Sequence, residues 1–133
     1  MRLSRTLTRI SLQPHGAPAL LERLRGGGVQ QASLLIRGLY ATSATSEVFD
    51  IFLGADDASN LNRNDPGFAG SLNFFGMPTD PQASTRAVNL AIGDNLRRLA
   101  QMGRLKENIA IDFVARAMPH SVAGFASVEL IVD

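Results

Sequence analysis

Hydrophobic and polar residues alternate along much of this chain with a period of two, which is typical of β-strands that turn one face toward a core. In residues 6–14, Thr8, Ile10 and Leu12 alternate with Arg9 and Ser11. The same alternation predicts six more strands, in residues 32–41, 47–57, 69–75, 86–92, 108–116 and 126–133.

Two of these segments predict which side chains are buried. In residues 32–41, Leu34, Ile36 and Tyr40 share one face, and Leu35 and Leu39 share the other. In residues 47–57, alternate positions carry Phe49, Ile51 and Leu53 on one side and Asp50 on the other. Both segments are therefore predicted to be strands with one face in the core.

Two short stretches have the spacing of helices instead. "APALLERLRGGG" has a face of leucines and ends at three glycines. In "GDNLRRLAQMG", Asp94 either caps the helix or favours its N-terminal dipole, and Gly103 is suited to a C-cap.

Closely spaced alternating strands joined by polar turns predict an all-β fold. We expect an antiparallel, jelly-roll-like β-sandwich of about seven strands with two short helices. Neither an internal repeat nor a composition shift divides the sequence, so residues 1–133 are predicted to form a single domain.

Composition narrows the possible functions. The 13 basic and 12 acidic residues leave a net charge of +1, without the basic stripe that nucleic acid binding requires. No apolar run approaches the roughly 20 residues of a membrane span, and no secretory signal is evident. We therefore expect a soluble domain that binds neither nucleic acid nor membrane, in a compartment that the sequence leaves unknown.

Candidate metal ligands are sparse. Cysteine is absent, and the two histidines, His15 and His120, each lie beside a proline without the spacing of a metal site. Residues 55–67 contain many side-chain oxygens but lack the central glycine and the closing glutamate of a calcium loop. Asx-turns in a solvated loop are the simpler interpretation. The oxygen-bearing side chains are Asp56, Asp57, Asn60, Asn62, Asn64 and Asp65.

Catalytic motifs are also missing. Neither histidine has a neighbouring motif that positions a nucleophile, and "RGGG" follows a helix and lacks the GK[ST] of a phosphate loop. We therefore expect no catalytic residues and no cofactor on this chain.

The order of the segments resembles a known family. "SEVFDIFLGADD", "DPGFAGSLNFFG", "VNLAIGDNLRRL" and "ENIAIDFVAR" follow one another as in the C-terminal β-sandwich domain of tyrosinases and polyphenol oxidases, and of molluscan hemocyanins. "TLTRISLQP", the leucine-rich helix and "ASLLIRGLYA" are similar to the first half of that domain. The resemblance therefore extends over nearly the whole chain.

This resemblance implies that the chemistry lies in another domain. Type-3 copper proteins bind two coppers through six histidines on a helical bundle, whereas this chain has two histidines. The resemblance implies a non-catalytic cap that packs on a copper-binding tyrosinase-like domain and shields its active site in the latent enzyme. Copper would then belong to that partner domain.

One residue of the family pattern can be carried over. In related domains a bulky apolar residue before the glycine of the "AGSLNFFG"-like segment projects toward the dicopper site as a substrate placeholder. Phe75 occupies that position, and strand alternation places Leu72 and Phe74 on the opposite, core-facing side. Phe68 and Met77 are expected to contact the partner domain beside it. The alternative is that Phe75 packs in this domain's own second layer.

Two other functions fit the residues. The chain could be a free-standing β-sandwich that mediates protein interaction or self-association and buries the "NFFGMP" surface between copies. It could also be a calcium-dependent or carbohydrate-binding sandwich, which the long polar loop would serve.

Overall fold

The structure, a computed structural model, describes residues 2–3, 7–13, 17–26, 31–42, 47–55, 61–116 and 122–132. Both histidines lie outside these ranges. So do three of the candidate calcium ligands, which are Asp56, Asp57 and Asn60.

The described residues form nine strands and two helices, all strand pairs being antiparallel. The strands are β1 (Leu7–Leu12), β2 (Ala32–Arg37), β3 (Tyr40–Ala41), β4 (Val48–Leu53), β5 (Phe68–Asn73), β6 (Ala87–Ala91), β7 (Ile109–Ala115), β8 (Ala123–Gly124) and β9 (Ser127–Val132). The helices are α1 (Ala17–Arg25) and α2 (Gly93–Gln101).

These strands build a sandwich. A four-stranded sheet has the order β1-β7-β4-β5, a three-stranded sheet has the order β6-β2-β9, and β3 and β8 pair as a short ribbon. The predicted all-β sandwich with two short helices is confirmed. All seven predicted strands are found, and the two additional ones are only two residues long.

The alternating apolar positions of both sheets meet in one hydrophobic core. Phe49, Ile51 and Leu53 of β4 are buried, as their spacing predicts, against Leu34 and Ile36 of β2. Leucines of the two helices join the same cluster, namely Leu20, Leu24, Leu96 and Leu99. Neither helix is long and apolar enough to cross a membrane, and the described residues contain no other helix.

Gly38 ends the alternation that was predicted to run through residues 32–41. Its φ of 73° bends the backbone between β2 and β3, in a region that only glycine adopts without strain. Ala126 leaves no room there for a side chain, since its Cβ would lie 2.5 Å from a Cβ at this position. Beyond the bend Leu39 is fully buried and Tyr40 is partly exposed, so the predicted faces of these two residues are wrong.

Helix α2 ends as predicted, and of the two roles predicted for Asp94 at its start, the structure supports the charge at the helix dipole and not the cap. The amides of Gly103 and Arg104 donate to the carbonyls of Ala100 and Leu99, the pattern of a glycine C-cap. At the other end Ile92 is the N-cap residue and supplies no side-chain bond. Asp94 lies in the first turn, where its charge suits the helix dipole.

The outer face of the four-stranded sheet contains a buried ion pair. The Asp112 side chain on β7 is fully buried, and Arg9 on the neighbouring strand β1 binds both of its oxygens, at 2.7 and 2.8 Å. The same guanidinium donates to the Ala55 carbonyl at 2.9 Å. A bidentate arginine, which forms two hydrogen bonds to one carboxylate, is the partner that compensates a buried carboxylate best. This pair therefore ties the edge strand β1 to the rest of the sheet.

Arg9→Ala is expected to lower the free energy of unfolding by about 3–5 kcal/mol, because it leaves the Asp112 carboxylate buried without its partner. Arg37→Ala is the control, since Arg37 and Glu129 form an exposed pair at 3.7 Å that should contribute at most about 1 kcal/mol. Urea unfolding of both variants measures the difference. Equal losses would contradict a structural role for the buried pair.

Candidate functional site

Strand β5 ends at the segment that carries the predicted placeholder residue. Its next residue, Phe74, is 1% exposed, and its amide donates to the Glu47 carbonyl at 2.9 Å beside β4. The Phe74 ring meets the Phe49 ring edge-on, with centroids 5.6 Å apart. Phe74 and Leu72 are both in the core, as the alternation predicts.

Phe75 lies in a tight turn rather than at the end of the strand. We call residues 74–77 the Phe75 turn. The amide of Met77 donates to the Phe74 carbonyl at 3.2 Å, and the φ of Gly76 is 72°. Within the turn the Phe75 amide donates to Oδ1 of Asn73 at 2.9 Å. The side chain of Phe75 is 76% exposed, so in this structure it does not fill the domain's second layer.

The chain that leaves the Phe75 turn is attached to the β3–β8 ribbon. The amide of Ala41 donates to the Pro78 carbonyl at 2.9 Å, and the Ser84 hydroxyl donates to the Leu39 carbonyl. The turn is therefore held on one side by β4 and on the other by β3. Phe75 is the most exposed large apolar side chain of the described residues, ahead of Met102 and Ile131.

The other two predicted interface residues are placed differently. Met77 lies in the Phe75 turn and packs partly against the core. Phe68 begins β5, about 16 Å from its end at the usual rise per residue. Its ring is half-buried against Phe52, with centroids 5.5 Å apart. The structure thus brings Met77 beside Phe75 but does not bring Phe68 into the same surface.

A second group of polar side chains crosses the outer face of the sheet at this end of β5. Asp50 accepts hydrogen bonds from Ser71 at 2.7 Å and from Arg116 at 2.8 Å, and Arg63 lies 3.5 Å away. Burial raises the pKa of Asp50. The hydrogen bonds from Arg116 and Ser71, with the charges of Arg116 and Arg63, outweigh burial and hold that pKa below its ordinary value.

A cavity of about 200 Å³ opens near the far end of β4 and is lined by Arg9, Arg104 and Lys106. Arg9 is paired with Asp112, and Arg104 lies 3.3 Å from Asp65. Arg9 and Arg104 are thus already paired with carboxylates, which weakens their attraction for an added anion.

The described part of the candidate calcium loop is engaged in turns. Oδ1 of Asn62 accepts from the amide of Asn64, and Oδ1 of Asp65 accepts from the amide of Gly67, both at 2.8 Å. These are the Asx-turns that the sequence predicts. Among the described residues no three His, Cys, Asp or Glu side chains are grouped to hold a metal ion.

The fold and the exposed Phe75 turn define a β-sandwich domain with one prominent aromatic side chain, and this fold occurs in latent polyphenol oxidases. A latent aurone synthase from its natural source matches with a TM-score of 0.67 and 14% identity, over 99% of this chain and 25% of the other. Its recombinant form matches with a TM-score of 0.65 and 14% identity, again over 99% of this chain and 25% of the other. Latent apple tyrosinase matches with a TM-score of 0.61 and 14% identity, over 99% of this chain and 27% of the other.

These likenesses confirm the fold that the family resemblance implied. This chain spans about a quarter of the length of the enzymes it matches. No family model and no curated protein sequence matches the chain. The shared structure is therefore one part of a larger polyphenol oxidase in each of those proteins.

The pKa of Asp50 predicts an acid-sensitive contribution to stability. Because this pKa is lower in the folded chain than in the unfolded chain, the unfolded state binds more protons, and the contribution is lost as pH falls below about 4. Unfolding of the wild type and of Asp50→Asn should therefore differ most above pH 5 and converge in acid. Asp80→Asn controls for the loss of one exposed negative charge. A difference that is constant with pH would contradict this assignment.

Phe74→Ala and Phe75→Ala should differ sharply although the residues are adjacent. Phe74→Ala opens a cavity in the core and is expected to cost about 3–5 kcal/mol. Phe75→Ala removes an exposed ring and should change the free energy of unfolding by less than about 0.5 kcal/mol. Thermal or urea unfolding measures both variants. A loss at Phe75 as large as that at Phe74 would mean that Phe75 belongs to the core.

Proposed function

We propose that this chain is a non-catalytic shielding domain, of the C-terminal type, that caps the dicopper active site of a tyrosinase-like phenol oxidase. The observation that carries the proposal is the Phe75 side chain. It is 76% exposed on a tightly held turn, at the position where the family resemblance expects a placeholder. The fold shared with enzymes described as latent supports it.

Copper would be held by the partner domain. The resemblance implies six histidine ligands for a type-3 centre, and this chain has two in total. The described residues offer no ligand group in their place. In this proposal the chain acts by steric exclusion. Its side chains occupy space that a phenolic substrate needs, and its residues make or break no bond.

Phe75 would enter the mouth of the copper site, with Met77 contacting the rim. Transfer of one phenylalanine side chain from water to an apolar pocket is worth roughly 1.5–3 kcal/mol. That energy favours the closed arrangement over the open one by about 10- to 150-fold. One ring therefore biases the cap toward closure, and the surrounding contact surface supplies the rest of the affinity.

Phe68 has a separate place in this arrangement. Since it lies about 20 Å along the chain from the start of the Phe75 turn, a partner that contacts both residues must extend along the strand. Its carbonyl is also held by Asn95 of α2, at 2.8 Å. As an interface residue, Phe68 would mark the far border of the contact surface rather than the mouth of the site.

The test uses the full-length oxidase in which this chain is joined to a copper domain, with a specific protease site placed before residue 1. Diphenol oxidation is measured before and after cleavage and separation of the two parts. We expect removal of this chain to raise the rate. Phe75→Ala in the intact protein should raise it by about 10- to 150-fold, unless full activity is reached first.

Met102→Ala is the matched control, because Met102 is also an exposed apolar residue but follows α2 near the other end of β4. It should leave the rate of the intact protein unchanged. Equal rates before and after removal would overturn the shielding function. So would a gene that encodes no copper domain with this chain. A stable homo-oligomer that buries Phe75 between copies would instead support the self-association function.

A further inference from the structure

The direction of Phe75 is determined by its backbone, since a ring that is 76% exposed makes little contact of its own. The residues on both sides are held by the fold. Phe74 is bonded to Glu47 and packed on Phe49, and the Pro78 carbonyl is bonded to Ala41. Between these fixed points lie Phe75, Gly76 and Met77. Met77 is itself held, because its amide donates to the Phe74 carbonyl and its side chain packs against the core, so the dihedral angles of Phe75 and Gly76 chiefly set the turn.

Asn73 restricts the first of these two residues. Its Oδ1 accepts the Phe75 amide at 2.9 Å, and this side chain is exposed at the last position of β5. Asparagine is a poor strand former and favours local bonds to the following backbone. Asn73 therefore has no evident advantage for the strand, whereas it has a clear one for the turn that follows.

The second residue, Gly76, is restricted by its own backbone conformation. Its φ of 72° favours glycine, yet a Cβ at this position would meet no atom within 4 Å. Space for a side chain is available there, so glycine is favoured for its backbone conformation and not for its small size. A side-chain acceptor before Phe75 and a positive φ after it together favour the conformation that the turn adopts.

We propose that Asn73 is a positioning residue that fixes the Phe75 turn in the conformation required for shielding, an inference that rests on the function proposed above. A turn that is already ordered loses less conformational entropy when it enters a partner. The gain equals about one net hydrogen bond, which corresponds to roughly a 2- to 10-fold shift between the open and closed arrangements.

Order in the turn is measured first, on this chain alone. The measurement is the NMR order parameter of the Phe75 backbone amide. In the wild type it should be near the rigid value of about 0.85, and in Asn73→Ala it should fall toward about 0.6 or below. Asn73→Asp keeps an oxygen acceptor and should retain the order. Asn89→Ala, an exposed asparagine of β6, is the matched control and should leave the turn unchanged.

Shielding is measured next, in the full-length oxidase. Asn73→Ala should raise diphenol oxidation of the intact protein by about 2- to 10-fold, while Asn73→Asp and Asn89→Ala should not. Once the domain has been removed, all forms should oxidise diphenol at one rate. In thermal unfolding Asn73→Asp and Asn89→Ala should match the wild type, and Asn73→Ala should unfold at most a few degrees lower, because it loses one exposed hydrogen bond. All three variants therefore remain folded, which separates positioning from a loss of folding.

The outcomes distinguish the two proposals. An unchanged order parameter in Asn73→Ala overturns the positioning role, whatever Phe75→Ala does. A lower order parameter with unchanged oxidation, where Phe75→Ala does raise the rate, also overturns it. If Phe75→Ala leaves the rate unchanged although removal of the domain raises it, the placeholder role of Phe75 fails, and its positioning by Asn73 fails with it. Equal rates before and after removal overturn the shielding function itself.

Discussion

The arrangement of this domain depends on the hydrogen bonding of β4 to β5 on one side and to β7 on the other. Phe49, Ile51 and Leu53 on its inner face lie in the core. On its outer face Asp50 accepts hydrogen bonds from Ser71 of β5 and from Arg116, the residue that follows β7. The Glu47 carbonyl just before the strand holds Phe74. One central strand thus organises the core, the outer ion pairs and the base of the Phe75 turn.

The division of labour between Phe74 and Phe75 follows from where this pairing stops. Phe74 is the last residue held by the β4 side and turns its ring into the core. One residue later the chain bonds to Asn73 instead and reverses at Gly76, so the next ring points away from the fold. Two adjacent phenylalanines therefore differ in burial because the bonding to the β4 side ends between them.

Alternation predicts the strands and most of the core, since burial of one face imposes a period of two. It fails where a local backbone constraint interrupts that period. Gly38 places Leu39 in the core, and the Asn73 bond makes a turn where alternation extends the strand to Phe75. Burial of Phe52 and Asp112 on the outer face depends on residues distant in sequence, such as Phe68 and Arg9, which the alternation of one strand does not reveal.

The proposed cap would have to release its partner without unfolding, and in this structure the interactions that stabilise the fold lie apart from the Phe75 ring. The core, the Arg9–Asp112 pair and the Asp50 cluster stabilise the domain itself, and none of them includes the Phe75 ring. Because Phe75 is exposed and is expected to contribute little to folding, a change at this position would alter the strength of the proposed shielding at almost no cost in stability. A change at Asn73 would cost at most one exposed hydrogen bond. The tightness of the proposed cap can therefore vary within a few residues of the turn while the sandwich stays the same.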